Sequence, residues 1–273
     1  MKFMFGSKSL ISVSMAVAVA VAVFLVSCGS GNNQENSDVK VTNGIAISES
    51  SYPSVVQIFR LVGEDQYKGC TAAFVNSYQV VTAAHCTEGQ NSQDPNIYYV
   101  TYQSGQPVLV AKATRFKKNP DYSGGVSASD LAVVSFPADT APATTAITDV
   151  VPKVGDVFTI VGYGHNRTFK TPQGDSGSGS GTKRVGTNTV AAVSGGFIRF
   201  AGVPGSSSNL EAGELVASGP GDSGGPLLIN GKLAGVTSGG SLADTSTGTV
   251  KTSNYVNLKS EESVKFLKTV LNK

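Results

Sequence analysis

From Val41 onward the chain is a succession of short β-prone runs, each ended within a few residues by turn formers. The runs lie at Val55–Val62, Cys70–Val81, Ile97–Tyr102, Val108–Thr114, Leu131–Phe136, Val157–Val161, Asn188–Val193, Gly196–Ala201, Pro226–Ile229, Leu233–Ser238 and Asn254–Leu258. The 32 Gly and 11 Pro that punctuate them favour short strands and turns over long helices. About a dozen such runs over roughly 230 residues predict one all-β unit of sandwich or barrel type. A single segment departs from this rhythm. Ser260 is placed to cap a helix with Glu261 and Glu262 in its first turn, and Val264, Leu267, Val270 and Leu271 recur at helical spacing. Lys268 and Lys273 suit the C-terminal end of its dipole. The Gly- and Ser-rich stretch from Gln173 to Thr182 reads as a mobile loop.

Residues 1–28 read as a targeting segment rather than as part of the fold. Lys2 and Lys8 form a positive start, and Leu10 to Val26 is apolar and uncharged. Its end, Leu25-Val26-Ser27-Cys28, resembles the bacterial lipobox, in which the cysteine is lipidated and becomes the mature terminus. The alternative is an ordinary signal peptide with an incidental cysteine. Residues 29–40 are polar and read as a tether or propeptide. Both readings place the chain outside the cytoplasm, in a bacterial cell envelope or released from it. There Cys70 and Cys86 are expected to pair rather than remain free thiols, closing a loop of roughly 15 residues worth about 3 kcal/mol. A net charge of +2, with no basic patch, argues against a nucleic-acid partner. The two histidines, His85 and His165, stand far apart with no Cys/His pattern, so no metal and no cofactor is expected.

Three motifs carry chemistry. Gly221-Asp222-Ser223-Gly224-Gly225-Pro226 offers a serine in a bend that glycine permits. Thr82-Ala83-Ala84-His85-Cys86 offers a base that titrates near neutrality, held beside a potential disulfide. Ser129-Asp130-Leu131-Ala132-Val133-Val134 offers a carboxylate where a loop enters an apolar strand. Asp94 and Asp121 also lie between the histidine and the serine, but in polar, Pro-flanked stretches. A serine hydroxyl needs a neighbouring base, and that base needs an acid to fix its tautomer. The amides of Gly221 and Ser223 are placed to form an oxyanion hole. Gly174-Asp175-Ser176-Gly177 repeats part of the serine motif, but Ser and Gly follow it instead of a strand.

In this order the motifs resemble the chymotrypsin/trypsin family of serine endopeptidases, over about Val41 to Lys273. The resemblance implies two six-stranded antiparallel β-barrels, closed by the C-terminal helix, with the active site between them. It assigns His85, Asp130 and Ser223 as catalytic residues, the Gly221 and Ser223 amides as oxyanion donors, and a Cys70–Cys86 bridge. Thr237-Ser238-Gly239-Gly240 is similar to the strand that binds substrate backbone, and Gly162-Tyr163-Gly164 to the family's Gly-aromatic-Gly turn, which implies a non-catalytic role for His165, itself read from its Gly-rich surroundings as a surface histidine. The resemblance also implies a zymogen, cut after Lys40 by a trypsin-like protease so that the Val41 ammonium pairs with Asp222.

The pocket floor falls on Ala217, where trypsin-like members carry an acid. Gly240 leaves the mouth open, Ser253 lines the far wall, and Asp244 lies within possible reach. An uncharged P1 residue is therefore expected. The chain lacks the family's pocket disulfide, with Gly219 in its place, and has no Trp, so Gly239 replaces an aromatic. Expected partners are protein or peptide substrates, an activating protease, and a membrane through lipid on Cys28. The chain is expected to be a monomer. The alternative is an inactive homologue acting as a surface binding protein.

Overall fold

The computed structural model describes residues 41–172, 174–204 and 211–271. After the short β1 (Ile45–Ala46), the N-terminal half forms β2 (Val55–Gly63), β3 (Gln66–Phe74), β4 (Gln79–Thr82), β5 (Ile97–Gln103), β6 (Gln106–Lys112), β7 (Arg115–Lys118) and β8 (Ala132–Ser135). The C-terminal half forms β9 (Val157–Gly162), β10 (Arg167–Thr171), β11 (Gly174–Ser178), β12 (Arg184–Thr189), β13 (Ala192–Ser194), β14 (Phe197–Gly202), β15 (Pro226–Ile229), β16 (Lys232–Gly239), β17 (Leu242–Thr245) and β18 (Gly248–Asn257). The chain then enters one helix, α1 (Glu261–Val270). Among the described residues no helix is long and apolar enough to cross a membrane.

The strands assemble into two large antiparallel sheets and a separate two-stranded one, β10-β11. The first runs β6-β5-β2-β3-β4-β8-β7; the second runs β1-β12-β9-β15-β16-β18-β14-β13, with β17 on the flank of β18. This is the all-β, chymotrypsin-like architecture with a C-terminal helix. The described strands number seven and nine rather than six per sheet, because short edge pairs such as β1 and β17 join the second sheet.

Most expected runs become strands at nearly the expected places, and the differences have local causes. The run Cys70–Val81 is cut in two by a turn in which Asn76 Oδ1 accepts from the amides of Tyr78 at 3.1 Å and Gln79 at 2.8 Å. Within the stretch expected to be a mobile loop, residues 174–178 form β11, paired to β10 from Arg167↔Ser178 to Thr171↔Gly174, while Gln173 lies outside the described residues. Strand β7 escapes pattern reading because three of its four residues are exposed and charged, while Phe116 alone is buried.

The larger core cluster draws on both sheets: Phe74, Val80, Val81, Val133 and Val134 of the first pack in one cluster with Val161, Leu228, Val236 and Val256 of the second. Helix α1 starts at Ser260, whose Oγ accepts from the Ser263 amide at 3.3 Å, as the sequence predicts. Its buried apolar face is carried by Phe266 and Leu267, with Val264 and Val270 only partly buried. The helix joins the same cluster, and Gln79 Nε2 of β4 donates to the Val270 carbonyl at 3.3 Å. Replacing Leu267 by Ala is expected to lower unfolding free energy by about 2–4 kcal/mol, read by urea denaturation; a loss under ~0.5 kcal/mol would show that the helix merely rests on the surface.

Candidate active site

The site is built where the ends of the two sheets meet. His85 sits in a 3-10 turn (Ala84–Thr87) one residue after β4, and Asp130 stands two residues before the start of β8, the neighbour of β4 in the sheet. Adjacent strands therefore deliver base and acid to the same end. The acid is fully buried, and its two oxygens accept three hydrogen bonds. Asp130 Oδ1 takes the His85 amide at 2.9 Å, and Oδ2 takes His85 Nδ1 at 2.8 Å and Ser238 Oγ at 2.7 Å. A carboxylate at that distance requires the proton on Nδ1, which leaves Nε2 with a free lone pair. The side chain of His85 is 24% exposed and that of Asp130 0%, so the imidazole lines an open space with the acid sealed behind it.

The Ser223 turn is seated against Thr71 and Cys86, the latter next to His85 in the chain. The Thr71 amide donates to the Ser223 carbonyl at 2.8 Å, and Cys86 Sγ, one residue beyond His85, lies 3.6 Å from the same oxygen. That sulfur is in the Cys70–Cys86 disulfide and carries no proton, so the approach is a packing contact rather than a hydrogen bond. Gly221 takes φ +97°, which L side chains rarely adopt, and its carbonyl turns back to accept Thr71 Oγ1 at 3.0 Å. Among the described residues, neither the Gly221 nor the Ser223 amide is spent on a backbone carbonyl.

Asp222 faces the other way, into the protein. It is 3% exposed, and its carboxylate accepts the amides of Gly164 and Gly219, each at 2.8 Å. Burial pushes its pKa up to about 6, against the pull of the two amides and of the Arg184 charge. Val41 is buried in the smaller core cluster with Ala217, and Thr42 bridges Ala217, with Thr42 Oγ1 donating to the Ala217 carbonyl at 3.0 Å.

The residues assigned to the pocket also gather. Ser218, beside Ala217, meets Ser253, with Ser218 N and Oγ each 3.1 Å from Ser253 Oγ. Gly240 packs against the same stretch of β18: a Cβ there would lie 1.9 Å from the Thr252 carbonyl oxygen. Asp244 does not join them. It is exposed and pairs with Lys170 at 2.6 Å. Ser238 stands in an irregular stretch of β16, between the β18 partners Thr237 and Gly239, and its hydroxyl is committed to Asp130. His165 is not a plain surface residue. Its amide donates to the Pro220 carbonyl at 2.7 Å, its Nδ1 is buried, and desolvation lowers its pKa. It lines a cleft of about 760 Å³ with Tyr67, Lys68, Gly69, Pro220 and Gly221.

Ligand atoms of Cys70, His85 and Cys86 lie within 4.8 Å of one another, but the two sulfurs are bonded together and cannot serve as thiolate ligands. Sequence reasoning missed the Ser238–Asp130 bond, because a serine in an apolar strand looks like any other. Lys40 and Cys28 lie outside the described residues.

A serine in a glycine bend and a histidine bonded to a buried aspartate, at the junction of two antiparallel sheets, are features of the serine hydrolase class. Residues 41–259 match the family described as Trypsin, and the chain belongs to the trypsin family of serine endopeptidases, which act on protein or peptide substrates. It is 32% identical over 188 residues to a trypsin of Saccharopolyspora erythraea, covering 66% of this chain and 79% of that protein. It is 25% identical over 217 residues both to trypsin alpha-4 of Lucilia cuprina and to serine protease 1 of Canis lupus familiaris, covering 78% and 81% of those proteins.

The raised pKa of Asp222 has a thermodynamic sign. The folded chain binds this proton more tightly than the unfolded chain does, so the contribution to stability is full below about pH 4 and is lost as pH rises through about 6. The loss is at most roughly 3 kcal/mol. Urea unfolding at pH 4 and pH 7 is expected to show it in the native chain and to lack it in Asp222→Asn; equal pH slopes in the two proteins would contradict the assignment.

Proposed function

We propose that this endopeptidase cleaves peptide bonds through Ser223, His85 and Asp130. The observation that carries the reading is the 2.8 Å bond from His85 Nδ1 to a fully buried Asp130, with the Ser223 turn packed beside the adjoining Cys86. His85 Nε2 takes the proton of Ser223 Oγ as that oxygen bonds to the scissile carbonyl carbon. The carbonyl oxygen becomes an oxyanion between the Gly221 and Ser223 amides. The imidazolium, steadied by Asp130, gives its proton to the departing amine and leaves an acyl-enzyme. Water repeats the sequence and releases the acid. Backbone of an extended substrate pairs along the Ser238–Gly240 stretch of β16.

A precursor cut after Lys40 fits the environment of Val41. That residue is β-branched yet takes φ +45°, a costly conformation defined by the bond to its predecessor. Cutting the bond removes that constraint and creates an ammonium near the core that Asp222 borders. The pocket offers no acid to a basic side chain: Ala217 forms the floor, and Ser218 and Ser253 satisfy each other. An uncharged P1 residue follows, and with it the need for a different, trypsin-like protease to cut after Lys40. Residues 1–28 as a lipoprotein signal, 29–40 as tether and Cys28 as the lipid site complete the proposal of an exported, envelope-anchored or released monomer. The Cys70–Cys86 disulfide fits an exported protein.

A fluorophosphonate probe is expected to label the processed chain and to leave Ser223→Ala unlabelled; absence of labelling after cleavage would remove the enzymatic reading of these residues. On chromogenic peptides, kcat/KM for Arg or Lys at P1 is expected to fall about 100-fold below that for an apolar residue, and a preference for the basic residues would refute the pocket. Lys40→Gln, exported and uncut, is expected to lose at least about tenfold in kcat/KM, since an imperfect oxyanion hole costs 10²–10³ when one donor is gone. Full activity without cleavage would eliminate the zymogen step.

A further inference from the structure

Asp222 holds a carboxylate where water is excluded, faced by the two amides of Gly164 and Gly219. A buried carboxylate without an opposite charge is costly. The register of the second sheet brings one to it. On the ladder between β12 and β9, Arg184 is the direct partner of Gly162. Directly opposed residues of an antiparallel pair project from the same face, with Cβ atoms about 4.5–5.5 Å apart. Gly162 shows which face this is: a Cβ built there would lie 2.1 Å from Asp222 Oδ1 and 3.0 Å from its Cγ. The Asp222 carboxylate thus fills the place that the side chain opposite Arg184 would have taken. Arg184 is 0% exposed, so its guanidinium stays inside rather than reaching solvent. Nη1 donates to the Thr182 carbonyl at 2.5 Å. The charge of Arg184 acts on Asp222 in the sense of an ion pair, pulling down a carboxyl that burial pushes up. The next residue back, Lys183, is committed elsewhere, to the carbonyls of Glu49 and Tyr52 at 3.1 and 2.9 Å.

We propose that Arg184 is a positioning residue for the reaction: it is a standing counter-charge for Asp222, present before and after any cleavage at Val41, and through Asp222 it holds the Gly221–Ser223 turn with both amides toward the substrate. This rests on those amides forming the oxyanion hole. Cleavage then adds a second cation to an acid already partly neutralised. The uncut chain keeps a fraction of its activity, and the cut chain depends on both charges. The other groups facing Asp222 are the Gly164 and Gly219 amides and, from β18, Tyr255, whose ionisation is opposed by burial and by Asp222 itself. Tyr255 stays neutral across the range in which Asp222 titrates, so it does not replace Arg184.

The test uses the full chain, uncut as Lys40→Gln and also after cleavage, with Arg184→Met, Arg184→Gln and Arg184→Lys. One readout is the titration midpoint of Asp222 by carbon NMR of aspartate-labelled protein, which needs no turnover. The other is the pH profile of fluorophosphonate labelling at Ser223. Met and Gln are expected to raise the Asp222 midpoint by about one pH unit, to move the acid limb of labelling upward by the same amount, and to slow labelling about tenfold near pH 6. Lys, which keeps the charge, is expected to return both readouts most of the way. An unmoved midpoint in folded Met or Gln chains overturns the proposal, as does a folded Lys chain that behaves like Met. If the uncharged variants fail to fold, the Lys chain decides: a midpoint raised by a full unit counts against the pairing. A wild-type chain whose Ser223 never labels, although its Asp222 midpoint moves with Arg184, keeps the pairing and removes the oxyanion reading.

Discussion

The organisation of this enzyme depends on one buried carboxylate. Asp130 accepts two bonds from His85 of the first sheet and one from Ser238 of the second, so a single charged group ties together strands that share no ladder. A carboxylate out of water must be satisfied or it destabilises the fold. The bonds that satisfy it also fix the tautomer and direction of the imidazole. The contacts that stabilise the fold are therefore the ones that set the imidazole's orientation. The larger core cluster is arranged accordingly, with residues of both sheets packed together, while a smaller cluster lies on the second sheet alone.

A second buried acid stands one residue before the serine and works by a different logic. Asp130 acts outward on an imidazole, whereas Asp222 acts inward, anchoring its own loop to the turns at Gly164 and Gly219. The geometry of Gly221 and Ser223 is set from behind by that anchor and from the front by Thr71, whose amide and hydroxyl bond the Ser223 and Gly221 carbonyls. Two supports on opposite sides hold the glycine-rich bend in place.

The candidate site residues could be picked out of the sequence because each sits in a compact motif beside its own strand. His85 follows β4, Asp130 precedes β8, and Ser223 leads into β15. The core strands were legible for the same reason, since β4, β8 and β15 are buried throughout and read as unbroken apolar runs. What escaped has no local signature. Apart from the exposed Phe169, the β10–β11 hairpin is made of polar residues and glycine, so no alternation marks it. The bond from Ser238 to Asp130 spans 108 positions and exists only once the sheets meet. The approach of Arg184 to Asp222 depends on which residue of β9 stands opposite it, and a shift of one residue would have turned it to the other face. Strand register is a long-range property that a run of residues does not carry.

The docking of α1 sets the order in which the molecule can be completed. Gln79 of β4 waits for a carbonyl 191 positions later, and the first sheet's core is not closed until Phe266 and Leu267 arrive. On a growing chain emerging from the ribosome, the strand that leads into the histidine therefore remains unsealed while almost everything else is being made. A nascent fragment has a loosely held base and no finished cleft, so the hydrolytic machinery comes together late, after its own substrate-like strands have found their places.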